Sequence, residues 1–127
     1  SPAKTQFENL YKDANNGTMP TDPFIAETFD ATIMLGLAAV AAQEGSACDS
    51  IKTCLRRIAT DDGDADANIE PGDIKLAVSM LKKGDDINYE GAAGSQEIDA
   101  NGDVNNTIEV WTIKDGKVTS TGQFLSP

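Results

Sequence analysis

The stretch DDGDADANIE, residues 61–70, places oxygen-bearing side chains on alternate positions. Calcium loops of the EF-hand type place oxygen ligands at positions 1, 3, 5, 7, 9 and 12 and a glycine at position 6. A frame that starts at Asp62 fills the later ligand positions with Asp64, Asp66, Asn68, Glu70 and Asp73. The spacing is therefore that of a calcium loop, and helices are predicted on both sides of it.

Three departures from the calcium-loop pattern argue against a bound ion. Ala67 stands where glycine is needed, and a side chain resists the positive φ of that turn. Asp73 replaces the long bidentate glutamate, and Pro71-Gly72 interrupts the chain where the second helix should begin. We therefore expect a solvated, flexible connection with no metal. A small acidic calcium-binding or interaction domain that uses residues 62–73 is the alternative function.

The composition narrows the chemistry further. The chain has no histidine, which removes the commonest general base and the commonest metal ligand. Ten basic residues against 21 acidic ones give a net charge of −11, which opposes binding to nucleic acid and to anionic membranes. No pair of carboxylates sits in an apolar segment that would shift a pKa strongly. We expect a protein that is not an enzyme and that uses no cofactor.

The two cysteines, Cys48 and Cys54, are six residues apart, which matches neither a zinc motif nor a redox motif. Cys54 lies on the predicted apolar face of a helix, where a lone cysteine packs as a small hydrophobe. Cys48 precedes that helix and could fold back over its first turn. A free pair and a disulfide both remain open, and an oxidising compartment favours the disulfide.

Apolar residues recur every three or four positions over the first two-thirds of the chain, which is typical of amphipathic helices. We predict four helices, over residues 2–14, 23–44, 49–59 and 73–81. The first would have Ser1 as its cap and Phe7, Leu10, Tyr11 and Ala14 on one face. The second would have Asp22 as its cap, Gly45 as its stop, and Ile25, Phe29, Ile33, Leu37 and Val40 as its apolar stripe.

The period changes to two after residue 85. Residues 87–90 predict a strand, and residues 96–99 predict a weaker one. Residues 107–124 alternate on both sides of Asp115-Gly116, and Asp-Gly is a strong signal for a two-residue hairpin turn. The sequence therefore predicts a helical part, residues 1–84, followed by a strand and hairpin part, residues 85–127.

Four segments in this order resemble a known family. They are FDATIMLGLAAVAAQEG (29–45), DSIKTCLRRIA (49–59), DINYEGAAGSQEIDANGDV (86–104) and IEVWTIKDGKV (108–118). Together they are similar to the C-terminal third of type I periplasmic substrate-binding proteins of the branched-chain amino acid class, which serve ABC transporters. The most specific piece is INYEGAAG, followed by the acidic turn DANGD and the VWTIKDGK hairpin. The likeness covers nearly all 127 residues.

The resemblance implies a fold and a function. The parent fold is α/β, with two lobes that close over a solute in the cleft between them. This chain would be an α+β C-terminal fragment, with about four helices before short strands and a hairpin. The solute would be a small amino acid or a related amide or carboxylate, and the membrane subunits of the transporter would be partners. The protein would be periplasmic, or exported and membrane-anchored.

The resemblance also implies which side chains face the cleft. The start of the long helix lines it in the family, which maps onto Phe24, Ala26 and Glu27. Phe29 lies on the predicted core stripe, so we expect it to pack in the core. For Trp111 we expect a core or hinge-packing aromatic.

A fragment of this kind would expose helix faces that are meant to cover a sheet, so we expect copies of the chain to associate. Light scattering over a range of protein concentrations measures this directly. A strict monomer at high concentration would contradict the expectation.

Overall fold

A computed structural model describes residues 1–44, 48–60, 63, 65–105 and 107–126 and shows an α+β chain with four α-helices and two small sheets. The helices are α1 (Pro2–Ala14), α2 (Ile25–Glu44), α3 (Ile51–Arg57) and α4 (Ile74–Leu81). The strands are β1 (Ala67–Ile69), β2 (Ile87–Gly91), β3 (Gly94–Ser95), β4 (Ile108–Lys114) and β5 (Lys117–Leu125). The predicted α+β character of the chain is confirmed.

Helix α1 begins where its cap predicts, and its Gln6 side chain bonds to the turn before α4. The Ser1 hydroxyl accepts a hydrogen bond from the backbone of Lys4 at 3.3 Å. Phe7 is buried, but Leu10 is exposed, as is Ala14, so only part of the predicted face packs inward. Gln6 accepts from the Gly72 N–H at 2.7 Å and donates to Glu70, which fixes α1 on the 3-10 turn Pro71–Asp73.

Helix α2 starts two residues later than predicted. Pro23 and Phe24 form a turn instead, and Phe24 takes a φ of 65°, so Asp22 does not cap the helix. The buried face consists of Asp30, Met34, Leu37, Ala38 and Ala41, and only Leu37 belongs to the predicted stripe. The stripe prediction is correct in part, since Ile33 and Val40 are half-buried and pack against the core, but it counted apolar residues only and so missed the fully buried Asp30. The predicted stop at Gly45 lies outside the described residues.

By length and composition α2 is apolar enough to cross a membrane, a property that core helices of soluble proteins also have. Its buried face packs against α3 and α4 in this structure.

Helix α3 begins at a reciprocal cap two residues later than predicted and ends two residues earlier. The Ser50 hydroxyl accepts from the Thr53 N–H, and the Thr53 hydroxyl accepts from the Ser50 N–H. Such a pair satisfies two of the free amides at a helix start. The sulfurs of Cys48 and Cys54 are joined in a disulfide that closes over the first turn of this helix. Cys54 is fully buried.

Strand β1 corrects the prediction of a solvated connection. Ile69 is fully buried, and β1 pairs in parallel with β2, Asn68 lying opposite Asn88 and Ile69 opposite Tyr89. The crossover between them contains α4, and a parallel pair needs such a crossover. Three residues are too few to show a period of two, and their partner lies 20 positions away. This pairing also joins the predicted 1–84 and 85–127 parts through one sheet.

The core lies between the helices and the β1–β2 pair. Its buried members come from α2, α3, α4 and both strands: Met34, Leu37, Ala38, Ala41, Cys54, Ile58, Ala59, Ile69, Ala77, Leu81, Ile87 and Tyr89. The Tyr89 N–H donates to the Ile58 carbonyl at 2.7 Å, which joins β2 to the end of α3. Phe29 is half-buried and packs on Phe7 with ring centroids 5.1 Å apart, so α1 completes this layer.

Residues 96–99, predicted as a weak strand, do not form one. Ile98 makes a single bridge to Val104, and β3 is the short pair Gly94–Ser95 instead. The Asp99 carboxylate accepts hydrogen bonds from the N–H groups of Asn101, Gly102 and Asp103. That side chain closes a turn, which ends any strand at residue 98.

The predicted hairpin is confirmed. Strands β4 and β5 pair antiparallel around Asp115 and Gly116, which both have positive φ. An irregularity between Val110 and Trp111 shifts the register. Several large apolar side chains of this ribbon are exposed: Ile108, Trp111, Ile113, Val118, Phe124 and Leu125. This exposed surface adds to the reasons for expecting association between copies.

Candidate functional site

The carboxylate of Asp30 joins helix α2 to the turn that follows β2. Asp30 is fully buried. Its Oδ1 accepts from the Tyr89 hydroxyl and the Ala92 N–H, each at 2.9 Å. Its Oδ2 accepts from the Ala93 N–H at 2.8 Å and from Gln96 Nε2 at 3.4 Å. A carboxylate can be buried when protein donors replace the hydrogen bonds that it made to water, and here four donors do so.

Gly91 allows the backbone after β2 to approach the Asp30 carboxylate closely. A Cβ at residue 91 would overlap the Asp30 carboxylate and would lie 2.7 Å from Nε2 of Gln96. The requirement is steric, because Gly91 is not among the residues with positive φ. Residues 91–96, hereafter the Asp30 turn, can therefore wrap around the carboxylate only with glycine at its first position.

Burial raises the pKa of Asp30 above its ordinary value, and the negative charge of Glu27 raises it further. The hydrogen bonds from Ala93, Ala92 and Tyr89 act in the opposite direction, because they favour the charged carboxylate. Burial also raises the pKa of the Tyr89 hydroxyl, as does the neighbouring Asp30 charge. The pKa of Asp99, which is exposed, is lowered, chiefly by the backbone N–H of Asp103.

A groove of about 290 Å³ lies where the start of α2, the Asp30 turn and strand β4 meet. It is lined by Pro23, Phe24, Glu27, Ala93, Thr107, Ile108, Glu109 and Trp111. The Ala93 N–H donates to Asp30, so the hydrogen bonds of the Asp30 carboxylate hold one wall of the groove in place. The groove is thus built from three segments that are distant in sequence.

Two of the three predicted ligand-facing residues lie in this groove. Phe24 and Glu27 line it. Ala26 does not; it lines a neighbouring hollow of about 360 Å³ between α1 and the start of α2. Phe24, Glu27 and Glu109 line both concavities, so the two adjoin.

The other groove residues were not predicted as ligand-facing. Trp111 is 42% exposed and lines the groove, so of the two expected roles, core or hinge-packing aromatic, the core role is wrong. Ala93 and Glu109 carry no local signal of a role. The glycines of GAAG, residues 91–94, were the one available sign, because glycine commonly marks a close backbone approach.

Phe24 is strained at the mouth of the groove. Its φ of 65° lies in the left-handed region, which a bulky residue seldom adopts, and its side chain is 60% exposed. The Phe24 carbonyl accepts from the Thr28 N–H at 2.9 Å and so starts the helix ladder. Strain of this kind persists where surrounding structure imposes it, and it clusters at functional sites.

The acidic stretch does not converge on an ion in the part that the structure describes. Residues 61, 62 and 64 lie outside the described residues, so the first two ligands of the calcium frame do too. The Asp66 carboxylate accepts from the Asp86 N–H at 2.8 Å, and Asn68 Oδ1 accepts from Asn88 at 3.2 Å. Among the described residues, no three acidic or cysteine side chains could hold a metal ion together.

Comparison with models of protein families, with curated proteins and with solved structures finds no match for this chain. The function must therefore be inferred from the groove and from the residues that build it.

Alanine substitution at two glycines tests whether the Asp30 turn depends on close approach. We expect Gly91→Ala to lower the free energy of unfolding by about 1–3 kcal/mol, because its Cβ overlaps the carboxylate. Gly36→Ala is the control, since Gly36 is an exposed helical residue with nothing within 4 Å of an added Cβ. It should raise the free energy by about 0.5–1 kcal/mol. Urea denaturation measures both, and equal effects would contradict the steric account.

The raised pKa of Asp30 has a defined effect on stability. The folded state binds a proton more tightly than the unfolded state, so between the ordinary value of 3.8 and the raised value stability falls as the pH rises. Asp30→Asn removes this titration, so the stability difference between wild type and variant should change in that window. Carboxyl NMR titration should place the Asp30 midpoint above 3.8 and the Asp99 midpoint below it. The reverse order would refute the assignment.

Proposed function

We propose that this chain is the solute-binding part of a type I substrate-binding protein and that the groove is one wall of its ligand site. One observation carries the proposal. Phe24 and Glu27, which the family resemblance nominates, line a single groove with residues from the INYEGAAGSQ and VWTIKDGK segments. Those segments are the most specific parts of the resemblance, and they are far apart in sequence.

The physical character of the groove suits a small ligand. Ligand pockets are mostly apolar, have a few placed polar groups, and measure roughly 300–1,000 Å³. At about 290 Å³ this groove lies just below that range, with Phe24 and Trp111 as aromatic walls and Thr107, Glu27 and Glu109 as polar groups. Aromatic walls of this kind hold small organic solutes by apolar contact and stacking.

The mode of action follows from the resemblance. The solute would bind between this wall and an opposing lobe, and closure of the two lobes would bury it. The exposed faces of Phe24 and Trp111 are available to both the solute and the closing surface. The membrane subunits of an ABC transporter would then recognise the closed form, in the periplasm or at an exported, membrane-anchored protein. The parallel β1–β2 pair with its helical crossover is a unit of the α/β lobes of that family.

Trp111 is the only tryptophan in the chain, so its fluorescence reports on the groove. Because the groove is only one wall of the proposed site, we expect L-leucine, glycine or leucinamide to change this signal saturably at millimolar concentration. Phe24→Ala should weaken binding about tenfold, because it removes one aromatic wall. Phe124→Ala is the matched control: Phe124 is equally exposed on the hairpin but does not line the groove. If none of the solutes gives a saturable change at millimolar concentration, the proposed function is wrong.

A further inference from the structure

The groove presents negative charge together with aromatic faces. Glu27 lies at the start of α2 and Glu109 lies in β4, and both residues line it. The Ser120 hydroxyl donates to Glu109 and so orients that carboxylate. Among the described residues, none donates a hydrogen bond to the carboxylate of Glu27, which leaves its acceptors available to a ligand.

The groove has no matching positive charge. Its lining contains no lysine or arginine in the part of the chain that the structure describes. The adjoining hollow contains one lysine, Lys4, against the four carboxylates of Glu8, Asp22, Glu27 and Glu109. Both concavities are therefore expected to carry a negative potential, since the acidic residues that line them outnumber the basic ones.

One backbone donor in the groove lining is already used. The Ala93 N–H points to Asp30 and donates to it at 2.8 Å, so it is not free to bind a ligand anion. The Asp30 carboxylate behind it adds to the negative field whenever it is ionised. A solute carboxylate would thus meet like charges and would lack this donor.

We propose that the groove selects a small organic cation, a primary or N-methylated amine, in preference to an anionic solute. This inference rests on the proposed function and specifies its substrate class. Glu27 and Glu109 supply the counter-charges, and the faces of Phe24 and Trp111 attract the cation through their π electrons. The volume of about 290 Å³ suits a free solute of this kind.

Three probes that share one apolar tail and differ in their charged groups separate the effect of ligand charge from that of apolar contact. Isopentylamine is a cation, 4-methylpentanoate is an anion, and L-leucine carries both groups. Titration followed by Trp111 fluorescence should show the amine binding at least about tenfold more tightly than the carboxylate, with leucine between them. Added salt should weaken the binding of isopentylamine, because salt screens the attraction between exposed charges.

Glu27→Gln tests which residue recognises the charge. The substitution should lower the affinity for isopentylamine about tenfold and leave the affinity for 4-methylpentanoate unchanged or slightly higher. Glu109→Gln should show the same charge-selective loss, which guards against a local effect of one substitution. Glu97→Gln, an exposed glutamate outside the groove, is the control and should change neither affinity.

The possible failures are distinct. If the carboxylate or leucine binds as tightly as the amine, and Glu27→Gln changes none of them, the charge preference is wrong while solute binding stands. If none of the three probes binds and the wider panel of neutral and zwitterionic solutes also fails, the proposed function falls with it. Loss of all three affinities in Glu27→Gln would show a structural role for Glu27 and would also overturn the inference.

Discussion

The hydrogen bonds of Asp30 are the interaction on which the candidate site depends. One buried carboxylate accepts from Tyr89 in β2, from two consecutive backbone amides and from Gln96. Left without these donors it would cost several kcal/mol to bury, and the amides of Ala92 and Ala93 would lose their partners as well. Helix α2 and the Asp30 turn are therefore stable together, and Ala93 is held against the start of the helix.

Local signals predicted the parts of the fold that local interactions decide. The Ser1 cap, the end of α4 and the Asp115-Gly116 hairpin turn depend on residues a few positions apart, and each is confirmed. Features that depend on distant partners were missed. The buried face of α2 is centred on a carboxylate whose donors lie about 60 residues away, and β1 forms only because β2 pairs with it.

The residues of the groove also fall into those that the sequence predicted and those that it did not. Phe24 and Glu27 were nominated because a family resemblance places the start of the long helix at the ligand, and the groove contains both. Trp111, Glu109 and Ala93 come from segments that only the folded chain brings together. Their own sequence surroundings describe a strand and a glycine-rich turn, and nothing in a strand pattern distinguishes a groove wall from a core position.

Part of the negative charge of the chain lies at the groove. A net charge of −11 by itself opposes polyanionic partners, and two of the acidic residues, Glu27 and Glu109, line an aromatic groove whose described lining contains no lysine or arginine. Asp30, directly behind the wall, couples that groove to the stability of the fold, so the same group shapes the site and contributes to its field.

Amide hydrogen exchange at Ala92 and Ala93 tests the central claim most directly. If the Asp30 carboxylate holds the turn, both amides should exchange nearly as slowly as the amides of β2, even though they lie outside a strand. In Asp30→Ala their protection should collapse, while the amides of the β4–β5 hairpin keep their wild-type rates. Rapid exchange of Ala92 and Ala93 in the wild-type protein, at rates typical of an exposed turn, would contradict the account.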